Sequence, residues 1–375
     1  MIKKNILMIA SSALPYHIDK LVSLEGKAKM LTIASYQKPY IEMQKSQIAT
    51  HKDLEILFKN KAIGDLPKIS KKLKVFFSLI QRKEKIILIG IGGEIRPYDL
   101  EIFLSVIILR LLRKKVYIMF DTNYQDRPRK LFVEIVKTFL FLPYSGAICS
   151  GPSSASYIKF LGLKKRPVVN FGFNTSDLRR YGYKDESNKT ESKNNLLFIG
   201  RMSNKKNISF LIDVYKEYKD KLGDKALPLR LIGEGPNLQA YKEKVKNAKI
   251  EGVYFLGVKN DSEIGYELSN ARALLIPSFY EEWGFVVNEA IALSVPVLVS
   301  EHVRAREVLV KQFVNGLILE PNNHTGWLES LIMISENQEL YKKLSSPNED
   351  LIKLADISSF KKGIKILIGD NSFKH

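Results

Sequence analysis

A single cysteine, Cys149, occurs among the 375 residues. That excludes an intramolecular disulfide, and with no cluster of ligands around it a structural zinc site is excluded too. A reducing compartment is expected. Long hydrophobic runs are also missing: the apolar stretch at residues 102–112 is interrupted by charge well short of the roughly 20 residues a membrane-spanning helix requires. The opening MIKKNILMIASSALP has the lysines and small residues of a signal peptide, but its apolar run is brief and no clear cleavage site follows. Residues 5–10 suit a first buried strand instead. Carboxylates are scarce in one half only. Residues 1–178 carry 30 Lys and Arg against 14 Asp and Glu, whereas residues 179–375 carry 29 against 26. The two halves therefore face different partners.

Hydrophobic residues make up 45% of the chain, which excludes wholesale disorder, and the length calls for two domains of ordinary size. Residues 179–194, RRYGYKDESNKTESKN, contain no aliphatic side chain and read as a linker. Residues 1–178 form one domain on this reading and 195–355 another, with 356–375 packing back on the first. On each side of the linker, short apolar runs alternate with helical patterns. NILMIAS, MLTIAS, KIILIGIGG, KVYIMFD, GAICSG and RPVVNFG precede it; NLLFIGR, LPLRLIGEG, VYFLG, ALLIPS, VPVLVS and GLILEP follow. Near-continuous apolar strands separated by helices predict an α/β chain of two doubly wound parallel sheets. Ligands then bind beyond the carboxyl ends of the strands.

The dinucleotide fingerprint is incomplete. GIGGEI from Gly90 and GEGPNL from Gly233 each lack the third glycine, and a turn after a strand accounts for both. The second half offers more. Arg201 directly follows a strand, and Lys206 comes five residues later, ahead of an amphipathic helix with Ile208, Leu211, Ile212 and Tyr215 on one face. Two cations so placed can hold a phosphate, or can be an ordinary solvated surface. In SFYEEWGFVVNEAIALSVPVLVS, Gly284 permits close backbone approach, and a helix starting there directs amides and a positive dipole end at an anion. Glu281 and Glu289 would be repelled by that anion. Their natural partners are hydroxyl groups flanking it, since a carboxylate only accepts hydrogen bonds. A ligand with hydroxyls on both sides of a phosphate has the shape of a sugar nucleotide.

These blocks, in this order, resemble family 4 retaining glycosyltransferases of the GT-B architecture, the glycosyl transferases of group 1. The matching pieces are Gly200, Arg201 and Lys206; GEGP from Gly233; FLG from Phe255; PSFYEEWGFVVNEA from Pro277; and VPVLVS from Val295. The resemblance implies two Rossmann-like domains facing a cleft, with the first binding the acceptor and the second the donor. It places Arg201 and Lys206 on the diphosphate and Glu281 on the transferred sugar. Gly200, Glu234 and the backbone of Gly284, Phe285 and Val286 lie beside the donor, and Glu289 lies on the ribose diol. The sequence departs from the family's pattern at Ser294, Arg304 and Ala305, where glycines are usual, and in the first half, where SSALPYHID replaces a glycine-rich loop and FDTNYQD a histidine.

No Asp-x-Asp pair exists to hold a divalent metal. Cationic side chains and amides are therefore expected to stabilise the leaving diphosphate, with no metal and no cofactor. The family implies retention of anomeric configuration without a protein nucleophile. In the basic half, residues 66–85 place Leu66, Ile69, Leu73, Phe76, Phe77 and Ile80 on one helical face, among Lys68, Lys71, Lys72, Lys74 and Arg82. Such a helix either covers a core or lies on an anionic bilayer. The expected partners are a UDP- or GDP-sugar, a glycan or lipid-linked acceptor of surface polysaccharide synthesis, and an anionic membrane surface. The expected place is cytoplasmic, with the inner face of the cell membrane as a peripheral site. The rival readings are a catalytically silent sugar-nucleotide binder and a basic nucleic-acid-binding protein, the latter disfavoured because no nucleic-acid motif is present.

Overall fold

The computed structural model describes residues 5–12, 14–36, 51–62, 68–90, 99–124, 129–181 and 193–369. The chain forms two compact units, Met1–Ser176 with Ile357–His375, and Asp177–Asp356. The first contains a parallel sheet of order β3-β2-β1-β4-β5-β6-β7, built from β1 (Ile6–Ser12), β2 (Ala28–Tyr36), β3 (Leu54–Ala62), β4 (Ile86–Gly90), β5 (Lys115–Phe120), β6 (Gly146–Cys149) and β7 (Val168–Val169). The second contains a parallel sheet of order β10-β9-β8-β11-β12-β13, with β8 (Asn195–Ile199), β9 (Leu229–Ile232), β10 (Val253–Gly257), β11 (Ala271–Ile276), β12 (Val297–Ser300) and β13 (Gly316–Leu319). Both are doubly wound, Rossmann-like sheets. Their order reverses between β1 and β4 and between β8 and β11, and these are the points where such folds open a crevice for ligand.

The strands lie at the expected apolar runs, with one addition. β3 contains Glu55 and Lys59, both exposed, and its apolar residues are only half-buried because it forms the edge of the first sheet. β1 lies between β2 and β4 and is buried along its whole length. One face of the first sheet carries the helices Lys68–Ile80, Leu100–Leu111, Leu131–Phe141 and Pro152–Ile158, whose inner residues join Leu7, Ile33, Ile87 and Ile118 in a single core. The other face carries Pro15–Ser23 and the last helix, Ser358–Ile368, which inserts Phe360 and Ile364 against Met8, Leu88 and Ile148.

The structure differs from the sequence reading at the linker and at one helix. Leu178–Tyr181 is a 3-10 turn of the second unit, with Leu178 and Tyr181 buried, so the boundary falls at Ser176, ahead of residue 179. Residues 182–192 of the expected linker lie outside the described residues, as do Leu66 and most of GIGGEI. In Lys68–Ile80 the buried side chains are Lys71, Val75 and Leu79, whereas Ile69, Leu73 and Phe77 are exposed. The apolar stripe singled out from spacing is therefore not the face that meets the core. Among the described residues no helix is long and apolar enough to cross a membrane.

Candidate functional site

The candidate site gathers where the second sheet reverses. β8 delivers Gly200 and Arg201 from its carboxyl end, and the following 3-10 turn Asn204–Lys206 carries Lys206. β11 delivers Pro277 and Ser278 and leads to Glu281. Two loops that are 75 residues apart in sequence thereby meet: the Lys206 ammonium donates to the Glu281 carboxylate. Ser278, fully buried, donates to the same carboxylate oxygen at 3.0 Å. The Phe279 amide donates to the Lys205 carbonyl at 2.9 Å, which ties the loops through backbone as well. Glu281 is fixed from its other side by its own amide, which donates to His302 O at 3.2 Å, and by the Arg304 amide on its carbonyl at 3.4 Å. Arg304 is itself buried, and its guanidinium pairs with Glu307 at 3.4 Å.

The GEGP turn has a structural task. Gly233 has φ +127°, and a Cβ there would overlap the Gly200 carbonyl; one at Gly235 would overlap Met202 O. Only glycine lets the β9 loop lie directly on the β8 loop. The pairing is sealed by Gly200 N donating to Ile232 O at 3.0 Å and Met202 N to Glu234 O at 2.8 Å. Glu234 therefore contributes its carbonyl to this turn, and its side chain is exposed.

Gly284, at φ +99°, makes the turn into the helix Val286–Ala292. Inside that turn the amides of Val287 and Asn288 already donate to Gly284 O and Phe285 O. Those two amides are therefore engaged within the first turn of the helix. Trp283 locks the turn by donating to Asn288 Oδ1 at 2.8 Å, and Asn288 donates in turn to Ala355 O at 2.9 Å. Ser294, in the place of the usual glycine, takes φ +53°.

Glu289 points elsewhere. It is buried on the Val286–Ala292 helix and takes a hydrogen bond from the Tyr181 hydroxyl. Burial raises its pKa to about 7, the Tyr181 hydrogen bond opposes that, and the Asp261 charge adds to it. The Tyr181 hydroxyl, buried against these acids, is pushed well above its ordinary range. Local folding explains this meeting. Asn260 and Glu263 form a capping box that starts the helix Asp261–Ser269. Gly265 on that helix has no Cβ to obstruct the Tyr181 backbone, and Arg180 lies 3.8 Å from Asp261. Sequence reasoning missed Tyr181, which stands at the edge of a polar stretch, and Ser278 and Asn288, which carry no charge. Among the described residues, no three His, Cys, Asp or Glu side chains come together as a metal-binding group.

Residues 182–350 match the family described as Glycosyl transferases group 1. This segment belongs to that family. The chain is 28% identical over 162 residues to 2-deoxystreptamine N-acetyl-D-glucosaminyltransferase of Niallia circulans, covering 42% of this chain and 40% of that protein. It is 32% identical over 129 residues to O-antigen chain mannosyltransferase B of Escherichia coli, covering 34% and 33%. These matches span about two fifths or less of the relatives' own length. Over nearly the whole chain, the fold is similar to Anabaena HepE solved in complex with UDP, with TM-score 0.73, 17% identity, and 97% and 99% of the two chains covered. A glycosyltransferase from Rickettsia africae is similar at TM-score 0.70 and 14% identity, with 98% and 100% covered. At such identities the likeness is one of fold, the paired Rossmann-like sheets of GT-B chains. Every residue from Gly200 to Glu289 discussed above falls inside the group 1 segment.

Proposed function

We propose that this chain is a retaining, metal-independent glycosyltransferase that moves a sugar from a UDP- or GDP-sugar to a glycan or lipid-linked acceptor in surface polysaccharide synthesis. The observation that carries the reading is the Lys206–Glu281–Ser278 cluster at the point where the group 1 sheet reverses, with Glu289 held by Tyr181 on the adjoining helix. Anion-holding and hydroxyl-accepting groups there alternate as phosphate and diol do along a sugar nucleotide.

Without donor, Lys206 and Glu281 neutralise one another. Donor binding divides them, with the ammonium on the diphosphate and the carboxylate on hydroxyls of the transferred sugar, so each side chain is already in place. As the glycosidic bond breaks, negative charge grows on the diphosphate, and Arg201, Lys206 and the amides of residues 284–286 stabilise it. The acceptor hydroxyl attacks from the leaving-group face, which retains the anomeric configuration and lets the departing phosphate oxygen take the proton. Glu289, once ionised, accepts from the ribose diol.

Titrating nucleotide sugars against thermal unfolding identifies the donor, because a ligand that binds only the folded state raises its apparent stability. Product analysis with chelator present then tests the chemistry. The reading expects an α-sugar donor to give an α-linked product with turnover undiminished. An inverted product, or full loss on chelation with recovery on Mn²⁺, overturns it. Donor binding with no transfer to any offered acceptor supports the silent homologue.

A further inference from the structure

The helix Leu131–Phe141 is inside out. The side chains it turns to the protein include Glu134, which accepts from Tyr157 Oη at 2.5 Å and from Lys137 Nζ at 3.0 Å, with Arg129 at 3.7 Å. The side chains it turns to solvent are Leu131, Phe132, Val133, Ile135, Val136 and Phe139, from 41% to 76% exposed. A helix on a water-soluble face has the opposite arrangement. The anomaly continues on neighbouring elements of the same layer. Phe160 is 63% exposed on the turn that packs against this helix, where Gly162 lies next to Leu142 and Thr138. On Lys68–Ile80, the stripe Ile69, Leu73 and Phe77 also faces out.

The charge of this surface is one-sided. The four helices on this face of the first sheet contain two carboxylates, Glu101 and Glu134, both buried, and Lys72 pairs with the first at 3.2 Å as Lys137 does with the second. Among the described residues, the exposed charges next in sequence to the Leu131–Phe141 helix and the Phe160 turn are cations: Lys130 at the start of the inverted helix, and Lys164, Lys165 and Arg166 after the turn. An apolar centre with a cationic border is complementary to a bilayer surface bearing anionic headgroups, where aromatic and aliphatic side chains enter the interface and lysines stay at headgroup level. A second copy of the same face would set this border against itself.

We propose that the first unit docks on anionic membrane surfaces through the outward face of Leu131–Phe141 and the adjoining Phe160 turn. The docking rests on the surface of this unit alone and is independent of the transfer chemistry. Co-sedimentation of the full chain with phosphatidylcholine vesicles, with and without phosphatidylglycerol, tests it alongside the variants F132S/F139S and K164E/K165E. The native chain should partition to the anionic vesicles, and to a smaller extent as salt rises. F132S/F139S should lower the partition coefficient by about a hundredfold, since each of the two buried phenyl rings is worth about tenfold or more. Its far-UV circular dichroism and thermal midpoint should not fall, because both rings are exposed; K164E/K165E should bind neutral vesicles as the native chain does and lose the gain from phosphatidylglycerol. Native-like sedimentation of F132S/F139S overturns the proposal. So does equal native binding to both vesicle types at low salt, or a lipid-free dimer that F132S/F139S converts to monomer, which would make a second copy the occupant.

Discussion

Burial holds the Glu289 carboxyl at a pKa of about 7, while the role proposed for it, accepting two ribose hydroxyls, requires its ionised form. Between the ordinary value of 4.5 and about 7, the folded state keeps a proton that the unfolded chain has lost, so stability falls as pH rises through that window. The full difference is on the order of 3 kcal/mol. Nucleoside diphosphate affinity should run the other way and weaken as pH drops below about 7. Glu289→Gln removes the cost of ionisation and the acceptor together. It should melt higher than the native chain at pH 8 yet bind nucleoside diphosphate more weakly, by calorimetry; native affinity that is flat from pH 6 to 8 would show that the carboxylate is not used. The Lys206–Glu281 pair makes the reverse case. Their side chains are 15% and 9% exposed, so Lys206→Ala leaves a nearly buried carboxylate held by Ser278 alone, at a cost of about 3–5 kcal/mol. Lys206→Ala with Glu281→Gln should recover much of that stability while transfer stays down by a factor of about 100 or more. Recovery of transfer in the double variant would show that neither side chain meets the donor.

Glycine decides how the elements of the site approach one another. Because the Gly233 backbone lies on the Gly200 carbonyl, the β8 and β9 loops share one surface, and Arg201 and Lys206 leave it from a fixed base. Gly233→Ala combines that overlap with a backbone angle alanine rarely adopts, and the dihedral strain alone costs about 1–3 kcal/mol. The thermal midpoint and nucleoside diphosphate affinity should fall together. A midpoint that drops with affinity intact would place the donor away from the β8 turn. Gly265 works the same way on a second pair of elements, admitting Tyr181 beside the Asp261–Ser269 helix and so to Glu289.

The chain passes from the first unit to the second at Ser176 and returns at Ile357, whose amide donates to Ser176 O at 2.9 Å. The last helix thus completes the first core, although the whole second unit separates it from that core in sequence. Phe360 and Ile364 are fully buried, and each such side chain contributes about 1.5–3 kcal/mol. Truncation after Asp356 should therefore unfold the first unit, read as lost hydrogen-exchange protection in β1 and β4, whereas nucleoside diphosphate affinity should persist because the residues proposed to hold the donor all belong to the second unit. Protection retained in β1 after truncation would show that the helix is dispensable.

What the sequence determined by itself was the two sheets and where their strands end. Parallel strands buried on both faces must be apolar throughout, so they were visible as runs, and β3 escaped notice because an edge strand is under no such demand. Arg201, Lys206, Glu281 and Glu289 could be nominated as candidates because ligands of such sheets lie beyond strand ends, which a linear reading can locate. Tertiary structure alone decided which of these groups meet: Lys206 with Glu281 across 75 residues, and Glu289 with Tyr181 through a gap left by Gly265. It also decided which way each helix faces. Helical spacing shows that Leu131, Ile135 and Phe139 share a side, but whether that side meets core or solvent depends on where Tyr157 and Arg129 offer Glu134 a buried partner, and periodicity within one segment carries no information about the segments packed against it.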